Sequence, residues 1–177
     1  ILEIGTYKGQ TSNYLSSIFP YSKIYTLDLP DIKFKPDNKS DIFYVPQGAQ
    51  LMSNDKVSNN INIKFEAKKF IDIRSKNLNK SNISFIQIDS SKTMELFTKQ
   101  SFDFVWVDGN HVFPQVIYDI IQAYHLCKIG GYIVCDDIIK ANIQDATKSS
   151  FGYYALNDLS SKKYLKTNFF NKTISID

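Results

Sequence analysis

Hydrophobic and polar positions fall into two alternating kinds of block along this chain. The first kind is a short apolar run closed by a turn or an acidic residue. Ile1–Ile4 breaks at Gly5, and the run from Lys23 to Pro30 carries Asp28 at its end. Ile83–Ile88 closes at Asp89, Phe102–Val107 at Asp108, and Tyr132–Cys135 at the pair Asp136-Asp137. Runs of this length and apolarity predict strands buried on both faces, as in a parallel sheet. The second kind has helical spacing. Thr11–Phe19 carries Tyr14, Leu15, Ile18 and Phe19, with Thr11 or Ser12 as cap and Pro20 as stop. Ile61–Leu78 is helical in its second half, and Met94–Lys99 makes a short helix.

Pro114 opens a longer helix at a tolerated first-turn position. Its buried face is expected to be Phe113, Val116, Ile117, Ile120, Ile121, Tyr124 and Cys127, its solvent face Asp119, Gln122 and His125, and its end Gly130-Gly131. Ser149 or Ser150 caps a helix to about Leu159, and Tyr164–Phe169 with Thr173–Asp177 straddles Asn171-Lys172 as a hairpin. Strands alternating with helices predict an α/β fold built on a parallel sheet. Residues 31–60 break the pattern: Lys, Asn, Asp, Ser and Pro surround an apolar island, Ile42–Pro46. This stretch reads either as an irregular insertion or as a lid beside the site, with Phe43 or Tyr44 as an aromatic contact.

Composition narrows the picture. The 177 residues suit one domain with a full core, and 43% hydrophobic with 22% charged residues is ordinary globular usage. A net charge of +3 with interspersed signs gives no reason to expect nucleic acid as a partner. Cys127 and Cys135 form no disulfide framework and read as small core residues of a reducing, cytoplasmic compartment. No apolar run is long enough for a membrane span. The chain begins inside a predicted strand and without methionine, so a single domain lacking its N-terminal part is expected. Oligomeric state is not legible, which leaves a homodimer open.

The first strand, turn and helix carry the most specific pattern. Glu3, Gly5 and Gly9 form E-x-G-x-x-x-G, followed by Thr11-Ser12. The third glycine of the dinucleotide fingerprint is missing. The pattern resembles motif I of the class I S-adenosylmethionine-dependent methyltransferases, in the variant of catechol O-methyltransferase-like and related small-molecule enzymes. The block Phe102–Asp137, with D-x-V-W-V-D-G-x-H, a helix and then G-G-Y-I-V-x-D-D, is similar to the metal-dependent O-methyltransferases and to a large uncharacterised group around them. The resemblance implies a Rossmann-like seven-stranded methyltransferase sheet, order 3-2-1-4-5-7-6, last strand antiparallel, with helices on both faces. Residues 31–60 lie outside it.

Function follows as an expectation: transfer of a methyl group from S-adenosylmethionine to a hydroxyl of a small-molecule or sugar acceptor. Backbone at Gly5, Thr6 and Tyr7 would face the methionine moiety, with no Cβ at Gly5 to block approach. Glu3 would reach the cofactor's amino group or buttress the loop. Asp28, with neighbouring Leu29, would meet the ribose, and Asp89 with Ser90 would contact adenine. Gly9 reads as a helix-packing residue. Asp108, Asp136 and Asp137 end neighbouring strands, and their mutual repulsion calls for a hard divalent cation such as Mg²⁺. They match the family's two aspartates and an asparagine, with Asp137 in the asparagine's place. His111 stands where the family has a catalytic lysine, and an imidazole suits proton abstraction near neutral pH. Asp108 would act beside it and would also contact the cofactor. Two other readings are a non-catalytic binding protein on the same fold and a nicotinamide oxidoreductase.

Overall fold

The computed structural model describes residues 1–34, 43–47, 60–138 and 150–168. Five parallel strands form its central sheet: β1 (Leu2–Ile4), β2 (Ile24–Asp28), β5 (Ile83–Gln87), β6 (Phe102–Val107) and β7 (Cys127–Cys135), in the order β5-β2-β1-β6-β7. β1 lies at the centre, with Glu3 in register with Thr26 on one side and Trp106 on the other. This matches the first five positions of the expected sheet. Residues 164–168 of the expected closing hairpin form no strand: Lys163 takes a positive φ of 60°, and Tyr164 packs its ring on Tyr124. The rest of that hairpin falls outside the described residues.

Period-two alternation sorts the strand residues into two faces. Leu2, Ile4, Leu27, Val105 and Val107 point to one face and join Ala123 and Leu126 in the main core. Each such fully buried side chain contributes roughly 1.5–3 kcal/mol relative to exposure. This face is covered by α3 (Thr93–Leu96) and α4 (Gln115–Leu126), with α5 (Ser150–Ser161) packed on α4. Glu3 and Thr26 point to the opposite face, where α1 (Gln10–Ile18) and α2 (Asn60–Leu78) lie.

Four details depart from the sequence pattern. The helix α1 starts one residue early on Gly9, whose φ of 72° is left-handed, and no side chain caps it; Ser12 turns inward instead. The stretch 31–60 is not wholly irregular, because β3 (Ile32–Phe34) pairs antiparallel with β4 (Phe43–Val45) and Val45 is buried. On α4 the expected faces are rotated: Asp119 and Gln122 are buried, whereas Phe113 and Ile121 are exposed. Finally, Gly130-Gly131 does not end that helix. α4 stops at Leu126 and runs directly into β7, which takes up an irregularity against β6 between Phe102 and Phe104. Any Cβ at Gly131 would come within 2.8 Å of the Asp103 carbonyl and the Cys127 sulfur, so glycine is what lets the strand fold tightly there.

Candidate functional site

The carboxyl ends of β1, β2 and β6 meet at one edge, where an open α/β sheet binds its ligands. After β1 the chain turns through Gly5 at φ 100° and Tyr7 at φ 48°. A Cβ on Gly5 would overlap the backbone of Asp108. Gly5 is therefore required by the close approach of two strand ends, and the expected reason, access for a ligand, is not the one the packing gives. The loop's donors are used internally: Gly5 and Thr6 N–H both bond the Leu27 carbonyl, at 2.9 and 3.0 Å, and Tyr7 N–H bonds Asp28 Oδ2 at 2.9 Å. Thr6 is buried, its hydroxyl 2.6 Å from that of Thr26. The loop thus offers shape more than free amides.

Beneath it lies Glu3, fully buried. Its Oε2 accepts hydrogen bonds from the Ser12 hydroxyl and from Thr26 Oγ1, the latter at 2.5 Å. Its Oε1 has no partner. Burial is the main reason its pKa rises from 4.5 to about 7; the two hydroxyls oppose the rise, and the charges of Asp108 and Asp28 add to it. The bonds to Oε2 tie β1, β2 and α1 together, as the buttress role asks, and leave the second oxygen out of that work. The second oxygen remains an unmatched acceptor in a site that disfavours its own charge.

At the end of β2, Asp28 accepts the N–H groups of Tyr7 through Oδ2 and of Leu29 through Oδ1, the second at 2.8 Å. Burial pushes its pKa up, while these two amides and the Arg74 guanidinium pull it down. Leu29 is one-third exposed and contributes its amide to this clasp. The helix α2 then clamps the loop from outside. Phe70 meets Tyr7 edge to face at 5.0 Å, Asn77 Nδ2 bonds the Lys8 carbonyl at 2.8 Å, and Arg74 pairs with Asp31 at 2.6 Å, its guanidinium lying between Phe70 and Phe85. A Cβ on Gly9 would run into Leu78, which bears out its reading as a helix-packing glycine. These α2 residues escaped the sequence reading because that helix has almost no apolar stripe.

The turn after β5 holds Asp89 and Ser90. Asp89 caps a short 3₁₀ turn by accepting Ser91 N–H at 2.8 Å, and hydrogen bonding from the Ser91 side chain, then from this N–H, lowers its pKa. Ser90 Oγ accepts from Gln115 Nε2 at 2.7 Å. Gln115 was not anticipated; its spacing of four from Asp119, one helical turn, was the available signal.

The third cluster sits where β6 and β7 end side by side. Asp108 N–H bonds the Ile4 carbonyl at 2.8 Å, and Asp136 N–H bonds that of Val107 at 3.0 Å. Asp137, at φ 52°, donates its N–H to Asp136 Oδ1 at 2.9 Å. His111 Nε2 lies 3.8 Å from Asp108 Oδ1 and 3.7 Å from Asp137 Oδ2. Burial and then the charge of Asp136 raise the Asp108 pKa, with a further push from Asp137, and His111 opposes them. The structure therefore brings together all four residues expected at the reacting end. Oxygen donors of this kind suit a hard cation. Even so, no group of three or more His, Cys, Asp or Glu side chains among the described residues converges in metal-holding geometry. His125, expected to be without a role, is solvent-exposed and packs on Tyr124. No helix among the described residues is long and apolar enough to cross a membrane.

Comparison with known proteins gives three kinds of result. A family model described as a methyltransferase domain matches residues 2–138. No curated protein sequence matches the chain. Among solved structures, cofactor-bound Rv0187 from MTB superposes with a TM-score of 0.53 at 18% identity, over 90% of this chain and 58% of that one. MycE from the mycinamycin biosynthetic pathway, solved with Mg, SAH and mycinamycin VI, gives 0.53 at 20% identity, over 94% of this chain and 38% of its own. SAH-bound PaMTH1 from Podospora anserina gives 0.50 at 16% identity, over 92% and 61%. The chain thus spans about three-fifths or less of the length of these structures, and at such identities they share its fold.

Proposed function

The chain belongs to the methyltransferase-domain family, and from that premise we propose that it transfers a methyl group from S-adenosylmethionine to a hydroxyl of a small-molecule or sugar acceptor. The observation that carries this reading is Asp28. The N–H groups of Tyr7 and Leu29 fix both its oxygens at the crevice, each with capacity for one more donor. That is the shape of an acceptor for a ribose diol. Glu3 Oε1, buried and unpartnered, suits the ammonium end of the same molecule. The N terminus of α1, which no side chain caps, suits its carboxylate. Tyr7 supplies a half-exposed aromatic wall between these groups, and Ser90 with Asp89 would border the adenine.

When bound, S-adenosylmethionine supplies a methyl on a sulfonium centre that an oxygen nucleophile can displace. The chain's own task is alignment and proton removal. His111 takes the acceptor's hydroxyl proton on Nε2, and the carboxylates of Asp108 and Asp137 stabilise the imidazolium that results. Asp108, Asp136 and Asp137 are the residues that would hold a divalent cation such as Mg²⁺, which would polarise the acceptor oxygen. The repulsion already felt by Asp108 and the Mg present in the MycE structure support that assignment. The family membership and the absent third glycine weigh against a nicotinamide oxidoreductase, and no observation favours a purely binding role.

The test is methyl transfer from labelled S-adenosylmethionine to a panel of sugars and catechols with Mg²⁺ present. Label in at least one acceptor, lost in His111→Ala, is expected. No transfer despite cofactor binding would move the protein to the non-catalytic reading.

A further inference from the structure

Among the described residues, one buried carboxylate on a helix beside the strand ends has no part in the chemistry above. Asp119 lies in the middle of α4 at 1% exposure. It shares a stripe with Gln115 and with Gln122, whose amide is also buried. Gln115 Nε2 bridges Asp119 Oδ1, at 2.9 Å, and Ser90 Oγ, at 2.7 Å. The Ser90 turn is held further by Thr93, whose hydroxyl bonds the Ser90 carbonyl at 2.6 Å. The other oxygen of Asp119 faces a different segment: Oδ2 is 3.1 Å from the point a Cβ on Gly109 would occupy. A side chain at Gly109 would crowd that carboxylate, which packs close against the loop carrying Asp108 and His111.

Burial disfavours the charged form of Asp119, and hydrogen bonds from Ser90 and Gln115 and the charge of His111 work in the opposite direction. A leucine would fill the same volume without that desolvation cost, so packing alone does not call for an acid here. Instead its Oδ1 is hydrogen-bonded toward the turn after β5 while its Oδ2 packs against the loop after β6, two segments that the sheet leaves on separate strands.

We infer that Asp119 is a positioning residue that couples the Asp89–Ser90 turn to the Asp108–His111 loop, fixing the spacing between the adenine end and the reacting end of the pocket. The inference rests on the functional reading given above for those two segments. It goes further in assigning their relative placement to a side chain that touches neither cofactor nor acceptor.

Hydrogen exchange with mass spectrometry tests it, paired with calorimetric titration of S-adenosylmethionine. Asp119→Leu should speed exchange in both segments, residues 88–93 and 107–113, and weaken cofactor binding about tenfold, the loss expected for one hydrogen bond. Asp119→Asn, with the same shape and one oxygen kept as acceptor for Gln115, should restore both towards wild type. Should the leucine variant not fold, Ser90→Ala serves: it should loosen residues 107–113 across the gap. Wild-type exchange in either segment of folded Asp119→Leu, an asparagine variant as impaired as leucine, or unaltered 107–113 in Ser90→Ala would each overturn the coupling. Wild-type protein that shows coupled exchange but binds no cofactor would sink the functional reading and leave the coupling standing.

Discussion

Two carboxylate sites lie at the same edge of the sheet and are built in opposite ways. At the end of β2, Asp28 has both oxygens clasped by backbone amides, and α2 braces the turn through Phe70, Arg74 and Asn77. At the ends of β6 and β7, Asp108, Asp136 and Asp137 stand near one another, with His111 almost 4 Å from two of them. The first site is finished before any ligand arrives. The second is a set of like charges whose balance depends on what is brought to it. The difference fits a division of labour in which one end binds by preorganised shape and the other does chemistry as charge moves.

That comparison can be broken in several ways. The largest effect belongs to the reacting end. His111→Asn should lower kcat by roughly 10²–10⁴-fold with the dissociation constant for S-adenosylmethionine unchanged; a parallel loss of binding would show that the two ends are not separate.

Glu3 tests the binding end through stability. Its folded pKa of about 7 lies above the unfolded value of 4.5, so the folded state holds the proton more tightly. Its stabilising contribution is complete below pH 4.5 and is lost as the pH rises through about 7, a change of about 3 kcal/mol. Denaturant titrations at pH 4.5 and 8 should show that Glu3→Gln removes this much of the pH dependence. Equal slopes for both proteins would mean that Glu3 is not held as described.

A smaller effect is expected from chelation. Removing divalent cations should cut turnover about tenfold and leave cofactor binding as it was. Full activity in chelator would remove the metal from the reacting end.

What the sequence revealed, and what it hid, follows the same physical lines. The five central strands were legible because Leu2, Ile4, Leu27, Val105 and Ile133 belong to short, uniform apolar runs closed by acids, and such runs have few other stable uses. The acidic cluster was legible too, since Asp108 and Asp136 end strands that must be neighbours. Hidden were the residues whose burial is polar. Periodicity assigned Asp119 and Gln122 to solvent, because an apolar stripe carries no sign of a carboxylate that finds its partners on another strand. Arg74 and Phe70 were missed for a related reason: α2 holds the loop largely through an aromatic contact, an ion pair and a side-chain hydrogen bond, leaving little apolar period to read. Gly130-Gly131 misled in the other direction, because glycines that commonly stop a helix here accommodate a tight strand irregularity beside Asp103.

The most direct test of the account is calorimetric titration of the protein with S-adenosylmethionine, repeated with Asp28→Ala. Micromolar binding is expected, weakened roughly 10²- to 10⁴-fold in the variant, since a charged acceptor of two hydroxyl hydrogen bonds is lost. No binding by the wild-type protein, or equal binding by both, would contradict the claim that this crevice is a cofactor site.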